Sequence, residues 1–329
     1  MSRIVLGLGA SHSPLLTFGV DTWIEKAEDD RRRPLNLSDG RYLSYAELVA
    51  ERGEPYSAEA TRDNLLVQER RCQDALDRMA DALEESAPDA LIVIGDDQAE
   101  LFSLASMPAI SIFYGEEIVM HPWGEDAEHM PNWKASAAAG YGMDAANRFA
   151  GAPDLALAAI EGLIEREVDI GAASEVLDPR VAGFGHAYGF IATRLFRGRK
   201  IPMLPVLLNT YFRPNVPTAA RAYDIGVKLA ETMLGSDDLK LGVVASGGLS
   251  HFITDAELDL GVLRAMRDKD VAHLRSVPRE ALLSGSSEIL NWIMAAGALR
   301  DLPMTWHDYV PIYRTPGGSG IGMGFAIWR

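Results

Sequence analysis

Three short apolar runs, Ile4-Val5-Leu6-Gly7-Leu8, Leu91-Ile92-Val93-Ile94 and Leu241-Gly242-Val243-Val244-Ala245, each stop at a cluster of small and polar residues. The clusters are Gly9-Ala10-Ser11-His12-Ser13-Pro14, Gly95-Asp96-Asp97-Gln98 and Ser246-Gly247-Gly248-Leu249-Ser250-His251. Unbroken apolar runs of this length, separated by helical segments, are what strands buried on both faces look like. They restrict the fold to an α/β class, with a central, mostly parallel or mixed sheet flanked by helices. Sheets of that kind build ligand sites in the loops beyond the carboxyl ends of their strands. Clusters far apart in the chain are therefore expected to meet in one pocket, together with a fourth, Gly185-His186-Ala187-Tyr188-Gly189. Imidazole, carboxylate and amide groups meeting there read as a metal site with acid/base help.

The periodicity predicts a long amphipathic helix over 57–86, where Leu65, Leu66, Cys72, Leu76, Met79 and Leu83 fall near one stripe. Further helices are expected over 136–149, 154–166, 187–197, 217–234, 256–274 and 286–297, and further strands over 108–114, 201–208 and 323–328. Residues 116–133 read as a polar loop carrying His121 and His129. The stretch 18–55 is the least regular and reads as an insertion or lid, or else as an exposed excursion. No repeat, low-complexity tract or interdomain linker interrupts the chain, so residues 1–329 are expected to form a single domain.

Composition closes several routes. The formal net charge is −16, which repels nucleic acid and anionic membrane surfaces at long range. Cys72 is the only cysteine, so neither an intrachain disulfide nor a thiolate metal cluster is available, and its surroundings read as ordinary helix. The start of the chain has no secretory h-region, and no apolar run approaches the roughly 20 residues of a membrane span. A cytoplasmic protein is the expectation. Gly317-Gly318-Ser319-Gly320-Ile321-Gly322 lacks the lysine of a phosphate loop and reads as a turn before the last strand.

At its polar clusters the chain resembles the class III extradiol ring-cleavage dioxygenases, of the protocatechuate 4,5-dioxygenase β-subunit type. Ala10-Ser11-His12-Ser13-Pro14 is similar to the family's N-terminal Ser-His-x-Pro, whose histidine is an iron ligand. Ser246-Gly247-Gly248-Leu249-Ser250-His251 matches Gly-Gly-Met/Leu-Ser-His, whose histidine is the acid/base, and the segment around His186 lies where another histidine faces the pocket. Glu288 leads a segment, Glu288-Ile289-Leu290-Asn291-Trp292, resembling the one that supplies the carboxylate ligand. The departure is at the second metal histidine, which maps onto Gln98.

The resemblance implies Fe(II) held by His12, Gln98 and Glu288, with His251 and His186 as the catalytic pair. The substrate would be a small hydroxylated aromatic, cleaved with dioxygen by an enzyme that assembles as a homo-oligomer or with a small partner subunit. An amide is neutral, as imidazole is, but a weaker donor for iron. Three alternatives therefore stay open: ligation by Asp96, which shares a side with residue 98 if strand geometry persists; ligation by His121 or His129; and weak iron affinity. Each residue also has a plainer role. His12 would serve as a loop cap, His186 as an ordinary first residue of a helix, and Glu288 as a carboxylate favoured by the helix dipole. The Gly247-Gly248 pair argues for close backbone approach to something near His251. His273 and His307 read as structural. The rival functions are another metal-dependent reaction on the same scaffold, such as hydrolysis or other C–C cleavage, and a non-catalytic protein that has lost the metal.

Overall fold

A computed structural model describes residues 2–123, 132–235 and 238–329, without the side chains of residues 132 and 133. The strands are β1 (Arg3–Ala10), β2 (Leu35–Asn36), β3 (Tyr42–Leu43), β4 (Ala90–Asp96), β5 (Ile110–Phe113), β6 (Glu117–Val119), β7 (Arg148–Ala150), β8 (Gly171–Ala173), β9 (Met203–Leu208), β10 (Lys240–Ser246), β11 (His251–Ile253), β12 (Met304–Tyr313) and β13 (Ser319–Trp328). The helices are α1 (Val20–Asp30), α2 (Tyr45–Arg52), α3 (Arg62–Ser86), α4 (Asn132–Gly140), α5 (Pro153–Glu165), α6 (His186–Leu195), α7 (Ala219–Leu234), α8 (Ala256–Asp268), α9 (Val271–Ser276) and α10 (Ile289–Ala298).

Nine strands form one mixed sheet in the order β11-β13-β1-β10-β4-β9-β5-β8, with β12 paired to β13. Its centre is parallel: β1, β10, β4 and β9 run side by side. Side chains alternate between the two faces as a pleat requires. On β4, Ile92 and Ile94 enter a core with α5, α7 and α10, while Leu91 and Val93 enter one with α3 and α6. All ten residues of α10 are buried, the pattern of a helix enclosed on every side. The polar residues at its start are thereby carried into the interior.

Register sets where the four central strands end. Ala10 pairs with Ser246, Ala245 with Ile94, and Asp96 with Leu208. The loops after β1, β4, β9 and β10 therefore leave the sheet along the same edge. Close packing holds this edge in place: a Cβ on Gly9 would lie 2.2 Å from the Trp292 ring.

Some expected elements differ. The helix predicted over 136–149 ends at Gly140, and Arg148–Ala150 pairs antiparallel with Glu117–Val119 inside the supposed polar loop. Ile118 and Met120 there are fully buried. The helix over 256–274 breaks at Lys269, whose φ of +56° admits no helical continuation, and Asp270 caps α9 through the His273 N–H at 3.0 Å. Strand β12 has no counterpart in the sequence reading. Pro311, His307 and Asp308 obscure its alternation, yet they are tolerated because β12 lies outside the main strand path, paired to β13 alone. The Gly317-Gly318 turn does precede the last strand, which starts earlier than expected, at Ser319. The irregular stretch 18–55 holds α1, the hairpin β2–β3 and α2. It is tied to the β12–β13 turn by a buried pair, Arg314 Nε donating to Asp30 Oδ2 at 2.8 Å. Among the described residues no helix is long and apolar enough to cross a membrane.

Candidate metal centre

Strand β1 delivers His12 just past its end, β4 delivers Asp96 at its last position, and the 3-10 turn Ser284–Glu288 delivers Glu288 at the entry of α10. One ligand-type atom from each lies within 4.8 Å of the others, and all three residues are buried. His12 Nε2 is 3.3 Å from Glu288 Oε2, although 276 positions separate the residues in sequence (288 minus 12).

Hydrogen bonds define the tautomer of His12. Ser246 Oγ donates to the Ala187 carbonyl at 2.6 Å, so it must accept from His12 Nδ1, 3.0 Å away. The proton then sits on Nδ1, and Nε2 presents a bare lone pair. Among the described residues this buried nitrogen has no hydrogen-bond partner, and it faces two carboxylates. Electron pairs that converge in a buried space repel unless a cation lies between them. The donor set therefore fits a divalent metal.

The carboxylates are unlike each other. Burial, with the nearby Glu288 charge, pushes the Asp96 carboxyl up. Burial acts the same way on Glu288, while the Gly248 N–H, which donates to it at 2.6 Å, favours its charged form. Asn291, three residues along and so on the same helix face, donates to Asp96 Oδ1 at 3.3 Å and to the Ser246 carbonyl at 2.9 Å. Asp97 points away, as strand geometry predicted, and its carboxylate accepts the N–H groups of Glu100, Leu101 and Phe102 at 3.1, 2.9 and 2.8 Å.

Two more histidines face the same cavity of about 270 Å³. His251 Nδ1 lies 2.8 Å from the Leu249 carbonyl, which can only accept, so Nε2 is the free nitrogen; it sits 3.7 Å from Glu288 Oε2. The close approach expected at Gly247-Gly248 is partly to this ring: a Cβ on Gly248 would lie 2.2 Å from His251 Cε1. His186 opens α6 and pairs through Nδ1 with Glu100 Oε1 at 2.7 Å. Burial opposes a charge there, but the Glu100 carboxylate outweighs it and lifts His186 to about 9.

A family model described as the catalytic LigB subunit of aromatic ring-opening dioxygenase matches residues 67–324. The chain belongs to this family. No curated protein matches it. Ring-opening dioxygenases of the LigB type are typically metal-dependent, which agrees with the donor set of His12, Asp96 and Glu288.

Within this LigB chain, Gln98 lies beside those three residues. Its Nε2 donates to Asp96 Oδ2 at 3.0 Å and reaches Glu288 Oε1 at 3.4 Å. His121 is turned elsewhere, its Nδ1 2.7 Å from the Pro179 carbonyl, and His129 lies outside the described residues. His273 is exposed, and Cys72 is buried in α3, where burial pushes its thiol well up. Sequence reasoning missed Glu100, Asn291 and the role of Ser246. Asn291 was findable from its spacing to Glu288. The pairing of Glu100 with His186 spans 86 residues and leaves no local trace.

Proposed function

We propose that this chain cleaves a catechol-like aromatic ring with dioxygen, using ferrous iron held by His12, Asp96 and Glu288. The observation that supports this is the bare Nε2 of His12, turned by Ser246 toward two buried carboxylates. Gln98, standing for the second imidazole of extradiol enzymes, bridges the carboxylates through its amide nitrogen. Rotating that amide by half a turn would bring its carbonyl oxygen to the same place, so Gln98 is a further donor to the metal.

Iron bound there would bring the catechol oxygens and dioxygen together and carry electron density from one to the other. The remaining work belongs to side chains. His251 has its proton on Nδ1, and burial lowers its pKa, so Nε2 is available to take a proton from a substrate hydroxyl. His186, kept charged by Glu100, offers a hydrogen bond to an oxygen that gains negative charge. Trp123, Tyr211 and Phe252 help line the cavity of about 270 Å³, which has room for a single aromatic ring. Assembly as a homo-oligomer or with a small partner subunit, and a single-domain cytoplasmic enzyme, accompany this reading.

The test is dioxygen uptake by protein loaded anaerobically with ferrous iron and offered a panel of catechols. Uptake matched one-to-one by loss of catechol is expected. No uptake with any catechol refutes the reading. A second reading has its own support: one imidazole with two carboxylates is a harder donor set than two imidazoles with one, and suits metals that do no redox chemistry. Turnover of ester or C–C substrates under nitrogen would establish that metal-dependent hydrolase or lyase instead. Failure to retain any divalent metal would point to the non-catalytic alternative.

A further inference from the structure

The 3-10 turn Ser284–Glu288 does more than carry a metal-type carboxylate. Two hydrogen bonds join it to the segment that leads from β10 into β11, and they run reciprocally. The Gly248 N–H donates to Glu288 Oε2 at 2.6 Å, and the His251 N–H donates to Ser286 Oγ at 2.9 Å. The segment that holds the carboxylate is thus itself held by the turn that carries it. The turn is braced at its start: Asn36 Nδ2 donates to the Leu283 carbonyl at 3.3 Å, and Ser287 Oγ to the Ser284 carbonyl at 2.5 Å.

Space enforces the same arrangement. A Cβ on Gly285 would lie 2.4 Å from His251 Cβ and 2.5 Å from its Cγ. Backbone conformation does not demand glycine there, since the φ of Gly285 lies outside the left-handed region. The clash falls on the root of the His251 side chain, which a change of rotamer does not move. At the far end of the imidazole, Gly248 gives the same close approach to Cε1, and Nδ1 is fixed by the Leu249 carbonyl at 2.8 Å. On either side of the contact a residue other than glycine is left-handed: Phe252, φ +64°, follows His251, and Ser284, φ +51°, precedes Gly285. Such conformations persist only where the surroundings over-determine them, and they collect at functional sites.

We infer that Gly285 and Ser286 are positioning residues for His251: they seat its imidazole against Glu288, so that one turn places both the metal-type carboxylate and the group that takes the substrate proton. The inference rests on the ring-opening reading and adds to it the part of the chain that sets the proton carrier relative to the metal donors.

Gly285→Ala and Ser286→Ala test it, each made in the wild type and in His251→Ala, with the melting temperature confirming a folded protein. The first readout needs neither metal nor substrate: the nitrogen-15 spectrum of the His251 ring. The wild type should show one form protonated at Nδ1, and both variants a shifted or split signal. The second readout is turnover of the iron-loaded enzyme. Displacing a reacting group by about 1 Å costs on the order of 10²-fold, so Gly285→Ala should lower kcat by about that factor, with KM within about threefold of wild type. Ser286→Ala leaves the His251 N–H without its acceptor but adds no clash, and should lower kcat at least about threefold. In His251→Ala no imidazole remains to be placed, so either substitution should change kcat by less than about threefold. An unchanged ring spectrum in both variants overturns the inference, and so does a full further loss of turnover on top of His251→Ala. Should Gly285→Ala not fold, Ser286→Ala, which only removes an atom, carries both readouts. Dioxygen uptake with catechols and an unmoved kcat in the variants sinks the positioning role and leaves ring opening standing. Ring spectra that shift as expected in a protein that takes up no dioxygen do the reverse, removing ring opening while Gly285 and Ser286 still seat His251.

Discussion

Replacing Ser246 by alanine removes one oxygen atom from the end of β10 and leaves the Cβ in place. That oxygen accepts from His12 Nδ1 at 3.0 Å and donates to the Ala187 carbonyl at 2.6 Å, in a fully buried position. Two consequences follow. Two buried polar groups lose their partner, which costs about 1–3 kcal/mol each. The His12 ring also loses what selects its tautomer, so Nε2 carries a proton part of the time. Partners of this kind around metal-bound histidines are worth about 10–100-fold in affinity, or about 1.4–2.8 kcal/mol. The assay is competition between the protein and a chelator of known affinity for zinc or manganese, beside nitrogen-15 spectra of the His12 ring in the metal-free state. The wild type should show a single form protonated at Nδ1, and Ser246→Ala a mixture with at least tenfold weaker metal binding. Unchanged affinity with an unchanged ring spectrum would refute the claim that the Ser246 relay turns His12 toward a metal.

Three further outcomes are expected. His251→Ala should retain metal but lose roughly 10²–10⁴-fold in turnover, since a positioned proton carrier contributes that much; loss of the metal would show that His251 is itself a ligand. Gly9→Ala should lower stability by about 1–3 kcal/mol in urea titration, because its Cβ would meet the Trp292 ring at 2.2 Å; a variant as stable as wild type would mean that this contact yields easily. Burial raises the Asp259 carboxyl from 3.8 to about 7 despite hydrogen bonds from Ser250 and Tyr309. A folded-state pKa above the unfolded one gives stability that is complete below pH 4 and lost as pH rises toward 7, up to about 4 kcal/mol from this group. Denaturation midpoints of the wild type at pH 5 and 8 should differ in that direction, and Asp259→Asn should flatten the difference; equal slopes in both proteins would refute the assignment.

The elements that could be read in advance are those whose signal is local. Strands β1, β4 and β10 are largely buried on both faces, so their runs of aliphatic residues, alanine and glycine contain no polar residue. The stripe of α3 is regular because one side packs on the core while the other meets water. Strand β12 was hidden for the opposite reason: it joins only β13, and the part-exposed His307 and Asp308, on its two faces, interrupt the apolar pattern. The division of 256–274 into two helices turned on one residue, Lys269, in the left-handed conformation. No propensity argument singles out that lysine.

The candidate site divides in the same way. That His12, Gln98, His186, His251 and Glu288 belong to one pocket could be argued from polar clusters at the ends of apolar runs, and they line one cavity. Which neighbours they meet could not. The Glu100 bond to His186, the Ser246 bond to His12 and the seat of Arg33 on Phe252 each join residues far apart in the chain.

From its order of residues alone the chain determined an α/β sheet and the positions along it where chemistry is concentrated, because hydrophobic period and strand length are properties of a few neighbouring residues. Only the tertiary structure decided that Asp96 comes within 4.8 Å of His12 and Glu288, and that Lys26 of α1 lines the cavity those two residues face. Those contacts depend on strand order and register, which minimise the free energy of the whole chain at once and are written in no short stretch of it.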